Sequence, residues 1–455
     1  MKKILFILLV SGLILGSLGG GCGWSAAQVA RGILGGQLKI KNWELKITRW
    51  CFGGLPLVNQ LDRLLDNKTY VVLLQNNTEL RASGGFMGSY VVLGSKGQGL
   101  SDMRVEDIYQ PDGQLVGHVD PPAPIQQAFG QGWWKLRDSN WDVDFSVAGE
   151  QIAWFFEQGG EKVDGVIAIN LSFVNLLLGY LGEVKTVTYD ERVTAQNLAN
   201  LAQTYSEVNK EKRDFLGAVG AALFERIKTI GPMGQIRLIG LIYKELQNGQ
   251  ILIWMKDKDV EQEILEKGWG GGLGNYGGDY LYIVESNLGA NKANCCVQRM
   301  ITQDLQLDEH VIREKLTIKW TNTSEFSDPK PPVFWGGNYV DYLRIILPKS
   351  ARIQSVMAES KLLVEKPLDY QYGIQDDRYQ VEEKDRFKII GFWAVVLAQQ
   401  SLTIQASYQL PDANYSSILV KRQPGIESFP YKLIVEGKVV VSDTIDRDKE
   451  YTWTK

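Results

Sequence analysis

The run Gln75-Asn76-Asn77-Thr78-Glu79-Leu80-Arg81-Ala82-Ser83-Gly84-Gly85-Phe86 is the densest polar segment of the chain. Its one arginine carries a planar, permanently charged fork that suits a phosphate or a carboxylate. Gly84 and Gly85 permit close approach of backbone to a ligand. A second reading is structural: Asn76 and Asn77 shape a tight turn and Arg81 sits in an ion pair. Two further clusters offer partners for Arg81. One is Arg104-Val105-Glu106-Asp107-Ile108-Tyr109. The other runs from Trp133 to Phe145 and gathers Trp133, Trp134, Arg137, Asp138, Asn140, Trp141 and Asp144. Aromatic rings beside carboxylates suit a sugar face, and paired aspartates with Mg²⁺ suit a pyrophosphate. The structural alternative is a loop pinned by its tryptophans, with Asp138 or Asp144 capping a helix.

Several other chemistries are excluded. The 455 residues contain two histidines, His118 and His310, too few for a histidine-rich metal site and a thin basis for a Ser-His-Asp triad. Lys and Arg number 49 against 53 Asp and Glu, a net charge of −4, which gives no whole-chain footprint for nucleic acid. There is no C-x-x-C; Cys22 and Cys51 stand alone and Cys295-Cys296 are adjacent. On a strand those two would face opposite ways, so at least one is expected to be plain packing. Gly272-Leu273-Gly274-Asn275-Tyr276-Gly277 fits G-x-G-x-x-G, but it follows a predicted helix and precedes a predicted strand, the reverse of a dinucleotide loop.

The elements that must position these residues follow from periodicity. Tyr70 to Leu74 reads as a buried strand, Gly84 to Leu93 as a glycine-punctuated one, Val163 to Ile169 as a third, and Phe173 to Leu181 as an apolar helix. The polar run thus leaves the end of a strand, where open α/β sheets bind ligands. Beyond Gly270 the pattern turns to alternation, as in Val311 to Trp320 and Tyr342 to Leu347, with no long helix. At the other end, Lys2 and Lys3 precede a stretch without charge from Ile4 to Ala30. That segment lies between a spanning helix of about 20 apolar residues and a signal core of about 7–15. An uncleaved anchor, a cleaved signal with or without lipidation at Cys22, and a buried helix all remain open. The expected order is an anchor or signal at 1–23, a helical stem at 24–66, an α/β domain with a mixed sheet at 67–270 and an all-β, sandwich-like domain at 280–455.

The run Gln75 to Tyr90, Leu136 to Trp141 with Asp144-Phe145, Val163 to Ile169, Asn287 to Asn294 and Lys421 to Gly425 together resemble the bacterial domain-of-unknown-function family 4012, whose members are usually membrane-anchored. More distantly, the order of strand, arginine-bearing loop, Val-Asp-Gly-Val-Ile strand and apolar helix resembles the LytR-CpsA-Psr family. Those proteins transfer glycopolymers from a polyprenyl-pyrophosphate carrier to peptidoglycan, outside the membrane, using arginines and aspartates with a divalent metal. The polar clusters make Arg81, Asp107 and Asp138 the catalytic candidates and Asn76, Asn77, Gly84, Gly85, Arg104, Arg137, Asn140, Trp141, Asp144 and Arg213 the candidate ligand contacts. The resemblance matches Arg81 to the family's first arginine, Arg104 with Asp107 to its arginine-aspartate pair and Arg213 to the start of its late basic segment. It brings in Mg²⁺ only under the transferase reading and assigns no metal ligand. It departs where that family has an Arg-Gln pair, since Gly217-Ala218 and Gly220-Ala221 occupy the region. Two functions are therefore expected of a membrane-held, extracytoplasmic chain with no nucleic-acid partner. One is binding or transfer of a lipid-pyrophosphate-linked glycopolymer; the other is non-catalytic binding in the cell envelope through the β domain.

Overall fold

The computed structural model describes residues 60, 63–64, 66–96, 99–112, 117–209, 211–368, 373–411 and 415–453. The expected anchor at 1–23 and nearly all of the stem at 24–66 lie outside the described residues. No helix among the described residues is long and apolar enough to cross a membrane. The chain divides into two compact units, and the division is not contiguous. The first comprises 1–76, 87–116 and 139–273; the second comprises 77–86, 117–138 and 274–455. Both the arginine-bearing run and the Trp133 to Asp138 segment, which the sequence pattern assigns to the α/β domain, therefore fold with the β-rich unit.

The first unit holds a mixed five-stranded sheet. Its strands are β1 (Thr69–Asn76), β2 (Phe86–Lys96), β3 (Gly99–Asp107), β4 (Gly165–Asn170) and, after the two-residue strands β5 (Val184–Lys185) and β6 (Arg192–Val193), β7 (Ile251–Met255). The order is β3-β2-β1-β4-β7. Parallel β1 and β4 pair Tyr70 with Gly165 through Gln75 with Asn170, while β7 runs antiparallel to β4. β4 is buried along its whole length, as its unbroken apolar run requires of a strand covered on both faces. Alternation sends Ile167 and Ile169 to one face, where they join Phe173, Leu177 and Leu181 in a common core. Those three belong to helix α2 (Leu171–Leu181), the second after α1 (Phe145–Gln158). Helices α3 (Lys212–Thr229) and α4 (Pro232–Gln247) add Phe215, Val219, Leu238 and Ile242 at helical spacing. Val166 and Ala168 face the other way, and α1 packs against β4 and β7. Helix α5 (Lys258–Glu266) starts at Asp257, whose carboxylate accepts from the amides of Asp259 and Val260.

The second unit is a sandwich of two seven-stranded sheets. Its strands in chain order are β8 (Asp279–Val284), β9 (Val297–Leu307), β10 (Ile312–Asn322), β11 (Tyr339–Pro348), β12 (Arg352–Ala358), β13 (Lys361–Leu362) and β14 (Val364–Glu365). They continue with β15 (Arg378–Lys384), β16 (Phe387–Val396), β17 (Ser401–Leu410), β18 (Ser417–Lys421), β19 (Phe429–Val435), β20 (Lys438–Ile445) and β21 (Lys449–Thr452). One sheet runs β13-β12-β17-β10-β9-β19-β20 and the other β14-β15-β16-β11-β8-β18-β21. Side chains from both sheets, among them Ile301, Leu316, Ile318, Leu343, Ile345 and Ile390, form one core. β10 alternates buried and less buried positions, in keeping with one face on that core and one in solvent. The segment from Gly272 to Gly278 links α5 to β8, so the glycine motif there is a connection and not a nucleotide loop.

Candidate functional site

Arg81 sits in a closed setting. Its side chain is 3% exposed. Nη1 donates to the carbonyls of Leu80 (3.1 Å) and Asn287, and Nη2 to Glu79 Oε1 at 3.2 Å. The guanidinium lies 5.4 Å from the centre of the Phe86 ring. Asp138 Oδ1 stands 3.9 Å from Nη2, and Arg137 Nε stands 3.6 Å from Asp138 Oδ2. The sequence-predicted residues Arg81, Arg137 and Asp138 are thus brought together, but around buried carboxylates and carbonyls instead of an open fork.

The loop that carries Arg81 is sewn to two distant segments. The backbone amide of Asn287 donates to the Leu80 carbonyl at 3.0 Å, and Gln423 Nε2 donates to the Arg81 carbonyl at 3.0 Å. Asn294 Oδ1 accepts from the Leu80 amide at 3.0 Å, and Asn77 Nδ2 donates to the Gly425 carbonyl at 3.2 Å. Gly425 has φ 84°, and a Cβ there would collide with the carbonyl of Gly84, which has φ 122°. The crossing of backbones requires glycine at Gly425, and the positive φ favours it at Gly84. The Asn77 to Arg81 loop and the segments around Asn287 and Gln423, far apart in the chain, are therefore hydrogen-bond partners.

The other predicted residues lie in the first unit. Asp107 Oδ1 accepts from the Tyr109 amide at 3.0 Å, a local turn. Arg104 pairs with Glu161, and its Nε lies 3.9 Å from Glu106 Oε1. Arg213 Nη1 is 3.9 Å from Glu106 Oε2, and its Nε is 3.0 Å from Asp214. Asp144 caps α1: Oδ1 accepts from the Ser146 amide at 2.9 Å, and Oδ2 from the Leu273 amide at 3.1 Å. Asp144 thus caps a helix as the structural reading expects, a cap worth about 0.5–2 kcal/mol. Asn140 is buried, Trp141 is half-buried, and Asn76 closes β1; each is engaged by neighbours. Among the described residues no three His, Cys, Asp or Glu side chains are grouped to hold a metal ion. Asp107 is engaged by the Tyr109 amide and Asp138 lies beside the Arg81 and Arg137 guanidinium groups.

Two buried polar clusters in the sandwich escaped the sequence reading. In the first, Arg299 forks onto Glu285, with Nη2 to Oε2 at 2.7 Å, and the Tyr339 hydroxyl donates to the same carboxylate. Asp341 Oδ1 lies 3.2 Å from that hydroxyl. Burial, and then the charge on Glu285, push the Asp341 carboxyl well above its usual range. In the second, Gln303 Nε2 donates to Glu314, to Asp279 Oδ2 at 3.4 Å and to the Tyr408 hydroxyl at 3.1 Å. Tyr408 donates to Glu314 Oε2 at 2.9 Å. Burial pushes Asp279 up to about 7 and Glu314 well above a normal carboxylate.

A carboxyl that keeps its proton longer in the folded chain makes folding favour acid. This contribution is present in full below the ordinary carboxyl range, near pH 4, and is lost as pH climbs to about 7 and beyond. Asp279, Glu314 and Asp341 all shift in that direction. The urea midpoint of the sandwich is accordingly expected to fall from pH 5 to pH 8, and Glu314→Gln to flatten that slope. A midpoint that rises over this range would contradict the assignment.

Parity within the strands was the available signal for both clusters. Glu314 shares the inward face of β10 with Ile312, Leu316, Ile318 and Trp320, and Asp341 that of β11 with Tyr339, Leu343 and Ile345. Cys295-Cys296 needs correction too. They lie not on a strand but in a 3₁₀ turn, Ala293–Cys296, and are joined to each other by a disulfide.

Residues 66–205 match the family described as "Protein of unknown function (DUF4012)". The matched stretch includes the run from Gln75 and the segments around Asp138 and Val163, and ends before those around Asn287 and Lys421. No curated protein matches the chain. Among solved structures it is similar to the Lin1025 protein from Listeria innocua and to TagT from B. subtilis. Both are 12% identical, with TM-scores of 0.24 and 0.22. The alignment with Lin1025 covers 45% of this chain and 80% of the other; that with TagT covers 44% and 90%. Protein gbs0355 from Streptococcus agalactiae is 11% identical, covers 47% of this chain and 76% of its own, and has a TM-score of 0.29.

Proposed function

We propose that this chain is a membrane-held, extracytoplasmic protein of the cell envelope that binds wall glycan without transferring it. The observation that carries the reading is the enclosure of Arg81, whose Nη1 and Nη2 donate to the Leu80 and Asn287 carbonyls and to Glu79. A transferase of lipid-pyrophosphate needs that fork open to the anion. The binding role falls to the second unit, where the 117–138 segment presents an aromatic surface. Trp133 is 51% exposed. Lys135 Nζ lies 5.4 Å from the centre of its ring and His118 meets its edge at 5.9 Å. A large exposed ring flanked by hydrogen-bonding groups stacks on the apolar face of a sugar while its neighbours take the hydroxyls.

The test uses spheroplasts that carry the full chain and soluble, labelled wall glycan added from outside. Wild type is expected to capture the glycan and to be digested by external protease. Trp133→Ala is expected to bind about tenfold more weakly, the effect of losing roughly 1.4 kcal/mol of ring contact. Protection from protease until lysis would overturn the location. Unchanged capture by Trp133→Ala would overturn the binding face.

A further inference from the structure

We infer that Cys295 and Cys296 form a thiol–disulfide exchange site whose redox state sets how firmly the Thr78 to Arg81 loop is held. The two cysteines are adjacent and bonded to each other, and among the described residues there is no free cysteine. A disulfide's entropic stabilisation grows slowly, as the logarithm of the loop it closes, and neighbouring residues close the shortest loop there is. Global stability therefore gives this bond little purpose. Exposure gives it another. Cys295 is exposed and Cys296 half-buried, so an incoming thiolate reaches the Cys295 sulfur from solvent.

The turn that carries the pair is a junction. The Asn294 amide donates to the Thr78 carbonyl at 3.2 Å. Its side chain accepts from the Leu80 amide at 3.0 Å and from Asn287 Nδ2 at 2.9 Å, and donates to the Tyr339 hydroxyl at 3.2 Å. On the far side the Cys296 carbonyl accepts from the amide of Thr323 at 2.8 Å and from its hydroxyl at 2.9 Å. The disulfide ties the two residues into a small ring that includes the peptide bond between them. Opening the ring frees the side-chain and backbone torsions that aim Asn294 at the loop.

The reductant is a dithiol, small or carried by a protein. One thiolate attacks Cys295 Sγ, the S–S bond breaks, and Cys296 leaves as a thiolate that takes up a proton. The second thiol of the reductant then displaces Cys295 from the mixed disulfide. The products are two cysteine thiols and an oxidised, disulfide-bonded reductant, a transfer of two electrons and two protons.

The experiment treats the full chain in detergent with dithiothreitol under native conditions and traps thiols with iodoacetamide. Peptide mapping follows the 295–296 pair separately from Cys22 and Cys51, and hydrogen exchange follows the Leu80 amide. Both cysteines are expected to alkylate together, the Leu80 amide to exchange about tenfold faster for its weakened hydrogen bond, and oxidised glutathione to reverse both changes. A Cys295→Ser/Cys296→Ser double variant is expected to exchange fast from the start and to ignore dithiothreitol. Alkylation that requires urea would overturn the exchange site. Leu80 exchange unchanged on reduction, or a double variant that exchanges like the oxidised wild type, would overturn its hold on the loop.

Discussion

Arg81→Lys is expected to lower the melting midpoint of the full chain by about 3–12 °C while leaving its affinity for a polyprenyl-pyrophosphate analogue unmoved. The arginine bridges three acceptors at once: the Leu80 carbonyl, the Asn287 carbonyl and Glu79. A lysine ammonium is a point charge on a shorter reach and cannot span them. With the site 2% exposed, an abandoned carbonyl or carboxylate finds no water in exchange, which costs about 1.5–3 kcal/mol. For a unit of this size each kcal/mol is worth about 2–4 °C. A pyrophosphate-gripping arginine would behave in the opposite way: thermal stability nearly kept and affinity down about 10–150-fold, the same energy read out at the ligand. Paired thermal melts and binding titrations separate the two. A loss of affinity with an unmoved midpoint would restore the transferase reading.

Much of the architecture was legible because the governing patterns are local. The apolar run Tyr70 to Leu74, the strand around Val166 and the apolar helix after it declare themselves by composition, and each is present as β1, β4 and α2. The alternation in Val311 to Trp320 likewise reappears in β10. What sequence reading could not supply is long-range pairing. Nothing local to Arg81 announces that its partners are Asn287 and Gln423, more than 200 positions away. Nor does local composition show that the segments 77–86 and 117–138 fold with strands that begin near Asp279. The polar run reads equally as a ligand loop or as a backbone knot, because both need the same residues: amides, an arginine fork, and glycines that let chains cross. Burial decides between them, and burial is not local information. Asp144 illustrates the easier case, where a cap needs only the residues beside it and the structural reading was already available.

The second large effect is expected at Glu285. Replacing it with alanine should destabilise the sandwich by about 3–5 kcal/mol, because Arg299 would be left charged and buried without its counter-ion. The two side chains are 1% and 10% exposed, so solvent offers little screening. Tyr339, which now donates to Glu285, would keep only Asp341 Oδ1, at 3.2 Å, as an acceptor. The pair itself need not be net stabilising, since taking two charges out of water offsets most of their attraction. That distinction gives a sharper test than the single variant. Glu285→Leu combined with Arg299→Met removes both charges and replaces them with apolar bulk, and most of the lost stability is expected to return. Urea unfolding followed by hydrogen exchange of the strand that carries Trp320, whose ring meets that of Tyr339 at 5.5 Å, reads the transition close to the change. Equal losses in the single and double variants would mean that packing around Glu285, and not an orphaned charge, holds this part of the fold. A single variant near wild type would mean that Arg299 finds water or another acceptor, and that the cluster is looser than its hydrogen bonds imply.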